Sequence, residues 1–328
     1  MFDNQPTPSL VIVGRVATMD AGGWPPAILG RIKKGGAALL LLTCDGTVQS
    51  SCQDVQPGLT PQAIAAIRHV ARESPRLAQV ACFDTAFHKN LPEAAQMYAL
   101  PRHFHAEGLR RFGFHGLSYE FITAELRRLD GPQAGGRVVV AHLGSGASMA
   151  AIRDGASIDT SMGFTPASGL VMATRAGDID AELIVHLMQQ RGMSGAALGT
   201  LINRESGLLG ISGSSASMQE LLDQRAGDAD AARAVDLFCY RAKKYLGAYA
   251  AVLGGLDTLV FTGGIGTHAA AVREGICGDL GFLGIHIDPA RNRSNEPVIS
   301  RNGGAVRVRV IRTNEELVIA RHLAALAP

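Results

Sequence analysis

Short apolar runs alternate with longer segments of mixed polarity along this chain, and the alternation predicts its elements. Leu10–Val13, Ala38–Thr43 and Leu77–Phe83 read as strands, because such runs are too short for helices. Val138–His142 and Ser148–Arg153 read as a hairpin, and Leu259–Thr262 and Val306–Ile311 as further strands. Between them, Thr60–Ser74 reads as a helix opened by Thr60-Pro61, with proline at the first helical position. Tyr119–Leu129, Ala181–Gln190, Met218–Tyr249 (broken near Gly227) and Asn314–Ala325 read as helices. Strands alternating with helices predict an α/β architecture with mixed sheets. No internal repeat or low-complexity tract interrupts the pattern, and Gly131–Gly136 carries the clearest local loop signal.

Composition narrows the picture. A length of 328 residues predicts two domains. With 47% apolar and 18% charged residues, the chain can build large cores. The run Tyr245–Phe261 is interrupted by Gly247, Gly254, Gly255 and Asp257, whereas a membrane span needs roughly twenty apolar residues. The opening MFDNQPTPSL lacks the basic and apolar regions of a secretion signal. A net charge of +2, from 31 basic and 29 acidic residues without a basic run, excludes nucleic acid as a partner. The five cysteines form no C-x-x-C pair, so reduced thiols in a soluble cytoplasmic protein are expected, with no membrane partner.

The hairpin carries the first chemistry. His142-Leu143-Gly144-Ser145-Gly146 would let backbone N–H groups approach an anion with no Cβ in the way, and Arg175 could neutralise a phosphoryl oxygen. The glycines could equally serve the turn alone. Asp84 follows an apolar strand, where α/β proteins bind ligands, or else it caps the next turn. His115 lies between aromatics and a glycine, as a donor to developing charge or as a satisfied core histidine. Arg175 could equally pair with Asp178 or Asp180, and Gly263–Gly266 is a second nucleotide loop or a strand-to-helix turn. Glu315 and Glu316 open the last helix behind a cap at Asn314 or Thr313, and one of them could bind Mg²⁺.

The phrases FDTAFHKNLP, YALP, RRFGFHGLS, HLGSGAS, DTSMGFTP, GLLGISG, FTGGIG and TNEELVIAR follow one another in this order. The set resembles the acetate kinase (acetate/propionate kinase) family of the actin-like phosphotransferases, over residues 58 to 322. The resemblance implies two actin-like domains with mixed sheets, a nucleotide cleft between them and a homodimer. It implies that ATP, with Mg²⁺, phosphorylates acetate or propionate to an acyl phosphate. Asp84 takes the place of the catalytic aspartate, and His115 and Arg175 those of the residues stabilising the transition state. His142, Leu143, Gly144, Ser145 and Gly146 match the phosphate loop. Gly264, Ile265 and Gly266, with Ser217, Met218 and Gln219, match the segments near the nucleoside, and Glu315 the Mg²⁺-binding glutamate.

Departures from the pattern set further expectations. The family's NAGSSS-like phosphate loop has no counterpart, so the chain is expected to begin just after it. Its HRVVHGG-like segment, whose arginine contacts the carboxylate, is likewise without a match, and a PLHNP-like phrase is reduced to QPGLTPQ. The asparagine of HLGNG is Ser145, and the Glu-Asn after GIG is Thr267-His268. The expected division is a shortened first domain, 1–86 with 314–328, and a nucleotide-binding, dimer-forming second domain, 87–313. Weakened nucleotide binding and turnover are expected. The alternative reading is a non-catalytic homologue that folds, dimerises and at most binds nucleotide.

Overall fold

The computed structural model describes residues 9–13, 38–42, 68–69, 72–73, 77–79 and 81–326. The chain divides into two compact units. The first groups Met1–Ala86 with Gly116–Phe121 and Asn314–Pro328, and the second takes Phe87–His115 and Ile122–Thr313. Gly116–Phe121, expected within 87–313, groups with the first unit. Its hydrogen bonds agree: Gly116 N–H donates to Asp84 O at 2.7 Å, and the Glu120 carboxylate accepts from the His322 ring Nε2 at 3.0 Å.

In the first unit, β1 (Ser9–Val13), β2 (Ala38–Leu42), β3 (Leu77–Gln79) and β4 (Ala81–Phe83) form a parallel sheet in the order β3-β1-β2-β4. The single strand expected over Leu77–Phe83 is therefore two. Its first half hydrogen-bonds β1, Val11 opposite Gln79, and its second half bonds β2, Leu40 opposite Ala81. The last helix, Glu315–Leu326, lies against β2. Asn314 Oδ1 accepts from Leu317 N–H at 2.9 Å, so the cap is Asn314 rather than Thr313. Of the helix expected over Thr60–Ser74, residues 68–69 and 72–73 are helical, and the rest lies outside the described residues.

The second unit is built on a five-stranded mixed sheet. Its strands are β5 (Arg137–Leu143), β6 (Ala147–Arg153), β7 (Ala156–Thr160), β8 (Thr258–Thr262) and β9 (Arg307–Val310), in the order β7-β6-β5-β8-β9. β5 is antiparallel to β6 and parallel to β8. Both faces of this centre are covered, which is why Val138–Leu143 and Thr258–Thr262 are buried throughout and read as continuous apolar runs.

Helices of the second unit follow from their caps. Those that bear on the site are α1 (Gly116–Asp130, begun in the first unit), α2 (Ala181–Arg191), α3 (Gly195–Arg204), α4 (Gly207–Ser212), α5 (Met218–Gln224), α6 (Ala229–Leu253), α7 (Gly263–His268) and α8 (Ala270–Cys277). Asp180, Ser194, Ser217 and Asp228 cap α2, α3, α5 and α6 through their side-chain oxygens. Gly254 ends α6 in the left-handed conformation that only glycine adopts without strain. α6 lies across β5 and β6 and carries α4, α5 and α8 on its other sides, so Phe238, Leu246, Tyr249 and Leu253 are buried. Among the described residues no helix is long and apolar enough to cross a membrane.

Gly263–Gly266 is not a loop but the first turn of α7. Gly263 has φ +76°, and a Cβ there would lie 2.5 Å from Leu143 O, so the chain can turn against β5 only with glycine at this position.

Candidate active site

In the second unit, the β5–β6 hairpin brings three chemical groups to one place. Its turn is closed by Gly144 N–H donating to Gly146 O at 3.1 Å, and Ser145 is exposed with its carbonyl accepting from Ala173 N–H at 3.0 Å. His142, at the end of β5, stacks its ring on that of His115, centroids 4.2 Å apart and planes 20° apart. Leu143 is buried in the sheet. A Cβ at Gly146 would lie 3.4 Å from His115 Nε2 and 3.6 Å from Arg175 Nη1. The space above Gly146 is thus bounded by an imidazole nitrogen, a guanidinium and the glycine turn, and any side chain at Gly146 would fill it.

His115 is held there by an unusual backbone. It sits at φ 58°, ψ 29°, left-handed for a non-glycine residue, immediately before α1. Its Nδ1 lies 2.8 Å from Ser148 Oγ on β6. Burial, then the charge of Arg175, then His88 pull its pKa down to about 4, so the ring is neutral at pH 7. Arg175 donates from Nη1 to Pro166 O at 3.3 Å and touches the Met172 sulfur at 3.7 Å.

Sequence reading missed the residues behind His115. Ser148 lies within the HLGSGAS phrase yet was read only as a strand residue. His88 ends the FDTAFH phrase; its Nε2 lies 3.1 Å from Phe114 O and its Nδ1 2.8 Å from Ser157 Oγ. Because a carbonyl only accepts, Nε2 carries the proton and the Ser157 hydroxyl donates to Nδ1. His88 therefore anchors the peptide just before His115. The signal was its fixed place in the motif.

The first unit carries the acidic residues. Asp84 follows β4 and accepts at its carbonyl from Gly116 N–H. Glu315 stands in the first turn of the last helix. Burial, then the charges of Asp84 and Glu316, push its pKa up to about 7. Such crowding of carboxylates is what a bound cation would relieve. No group of three or more His, Cys, Asp or Glu able to hold a metal occurs among the described residues. Mg²⁺ commonly takes one or two carboxylates and completes its shell with phosphates and water, so the donor set fits that ion.

The residues expected near the nucleoside are placed separately. The Ser217 hydroxyl caps α5 by accepting from Glu220 N–H, Met218 is buried, and exposed Gln219 donates to Asp223 Oδ1 at 3.0 Å. In α7, Gly264 faces open space, Ile265 is half-buried and Gly266 is buried. Behind them the fully buried Arg273 donates to Gly266 O and Thr267 O at 2.9 Å each, and to Asn292 and Asn295. These are the last carbonyls of a six-residue helix, which a guanidinium satisfies well.

Comparison with solved structures defines the class. A propionate kinase from Francisella tularensis superposes with a TM-score of 0.76 at 41% identity, covering 80% of this chain and 68% of that one. An acetate kinase from Porphyromonas gingivalis superposes at 0.75 and 36% identity, covering 92% and 84%. The fold is accordingly the two-unit actin-like α/β fold of these kinases. The model of the acetokinase family matches residues 42–321, and the chain belongs to that family. It is 48% identical over 266 residues to an acetate kinase of Methylocella silvestris, and 47% identical over 270 residues to one of Rhodopseudomonas palustris. The matches take in 81% of this chain, and 65% and 67% of those two proteins, so the chain spans about two thirds of their length.

Proposed function

We propose that this chain is an acetate kinase-type phosphotransferase, moving the γ-phosphoryl group of ATP to the carboxylate of acetate or propionate. A carboxylate oxygen bonds to phosphorus as the bond to the ADP oxygen breaks, giving an acyl phosphate and ADP. The observation that carries this reading is the meeting of His115 Nε2 and Arg175 Nη1 over Gly146, in a chain of the acetokinase family.

Phosphoryl transfer asks little covalent work of a protein and much positioning of charge. Arg175 supplies a permanent cation to the equatorial phosphoryl oxygens. His115, neutral at working pH, donates from Nε2 when Ser148 donates to Nδ1, so it adds a hydrogen bond without a titrating charge. The glycine turn of His142–Gly146 leaves room for the phosphates, and α7 with Gln219 is assigned to the nucleoside side. Asp84 is assigned to orient the reacting groups, and Glu315 with Asp84 to hold Mg²⁺. When bound, Mg²⁺ supplies charge neutralisation to the phosphate oxygens. The described thiols, Cys82, Cys239 and Cys277, are buried and outside any disulfide, which supports a reducing compartment such as the cytoplasm. A homodimer through the second unit completes the reading.

Hydroxamate trapping of acyl phosphate tests it, using purified protein with ATP, Mg²⁺ and varied acetate or propionate. ATP-dependent product that saturates with acid is expected. Asp84→Asn should lose on the order of a hundredfold or more while melting as the parent does. Well-folded parent protein that forms no acyl phosphate overturns the reading.

A further inference from the structure

The GLLGISG phrase has no role in the assignments above, yet its first glycine touches the segment that carries Arg175. Residues Met172–Ala176 form a tight turn closed by Met172 N–H donating to Arg175 O at 3.1 Å. This turn sits in the corner between α3 and α4. Helix ends leave backbone groups unsatisfied: carbonyls at the C-terminus, N–H groups at the N-terminus. The corner presents one of each kind of end, and the Arg175 turn fills both. Ile202 O and Asn203 O, in the last turn of α3, accept from Ala176 N–H at 3.0 Å and Thr174 Oγ1 at 2.9 Å. Leu208 and Leu209 N–H, in the first turn of α4, donate to Met172 O at 2.8 Å and Ala173 O at 3.0 Å. Ser206 N–H adds a bond to Thr174 O at 3.1 Å, and no side chain caps α4.

Gly207 makes this docking possible. It has φ +64°, and a Cβ there would lie 2.2 Å from Met172 O, 2.7 Å from Arg175 O and 3.0 Å from Arg175 N. All three are backbone atoms, so no rotamer change relieves the overlap; the turn itself must move. We propose that Gly207 is a positioning residue for phosphoryl transfer: it lets the α3–α4 corner seat the Met172–Ala176 turn and so aims the Arg175 guanidinium at the space over Gly146. A shift of about 1 Å in such a group costs on the order of a hundredfold in rate.

The opposite end of α4 supplies the control. Gly213 has φ +66°, nearly the same, but a Cβ there meets nothing within 4 Å. Gly207→Ala and Gly213→Ala therefore share the backbone strain and differ only in displacement of the turn.

The inference rests on the phosphotransferase reading for its kinetic arm only. Four variants, Gly207→Ala, Gly213→Ala, Arg175→Ala and Gly207→Ala/Arg175→Ala, are compared in melting temperature and acyl phosphate formation. The two glycine variants should melt within a few degrees of each other. Gly207→Ala should lower kcat about a hundredfold with Gly213→Ala close to parent, and it should cost little further in the Arg175→Ala background. Equal kcat in the two glycine variants, or losses that multiply in the double variant, overturns the inference while leaving the reaction intact. Amide hydrogen exchange is the arm that needs no turnover. Leu208, Leu209 and Ala176 should lose protection in Gly207→Ala and keep it in Gly213→Ala, and unchanged protection in both overturns the seat. Parent protein without turnover sinks the phosphotransferase reading alone, since exchange still decides the seat. Should Gly207→Ala not fold, Thr174→Val removes the bond to Asn203 O and should cost about tenfold in kcat and loosen the Ala176 amide; if kcat and the Ala176 amide both stay as in the parent, the proposal is overturned.

Discussion

Glu315 holds a proton that an ordinary glutamate would have lost, because burial and the nearby Asp84 and Glu316 push its pKa up to about 7. In the unfolded chain the same group titrates near 4.5. Between these values the folded state binds more protons, so stability falls as pH rises from about 4.5 to 7 and is flat above. The shift corresponds to about 3 kcal/mol, less what solvent screens. Glu315→Gln should remove that slope and make the protein more stable than the parent at pH 8, with little difference at pH 4. Urea unfolding of both proteins across this range measures it, and parallel curves would show that burial beside Asp84 and Glu316 does not raise this group's pKa. The residues of the candidate site were legible in the chain because His115 and Arg175 stand in distinctive phrases. Their environment was not: the left-handed backbone of His115 and its partner Ser148, 33 positions away, are products of the hairpin's fold. The strained conformation is visible only when the neighbours that enforce it are in place.

At the scale of the element, the β5–β6 hairpin is the part on which most depends. Alanine at Gly146 would put its methyl group at ordinary contact distance from His115 and Arg175, so the fold should tolerate it. The same methyl would occupy the space a phosphoryl group needs. Gly146→Ala should therefore melt within about 2 °C of the parent yet lose roughly a hundredfold or more in acyl phosphate formation. Parent-like kcat would show that the phosphate does not sit there. Hairpin and helix pair were readable from pattern: two short apolar runs around a glycine turn, each a little longer in the structure, and a break at Gly227 that separates α5 from α6. β7 was not, since Ala156–Thr160 carries serine, aspartate and threonine and becomes a strand only by pairing with β6. For α7 the glycines in isolation leave a loop and a strand-to-helix turn equally open, and contact with Leu143 makes them a helix start.

At the scale of the molecule, the second unit exposes apolar side chains on two helices. Tyr240 and Val252 on α6 are 59% and 46% exposed, and Leu183 and Met188 on α2 are 48% and 47% exposed. Sedimentation equilibrium at micromolar concentration should report a homodimer, and a stable monomer would remove that assignment. Arg273 gives the second unit an uneven answer to ionic strength. Its charge is buried against carbonyl and amide oxygens, beyond the reach of counterions, whereas Arg137–Asp257 and Arg225–Asp236 lie where salt screens them. In brine the surface pairs weaken first, and the end of α7 keeps its order to the last.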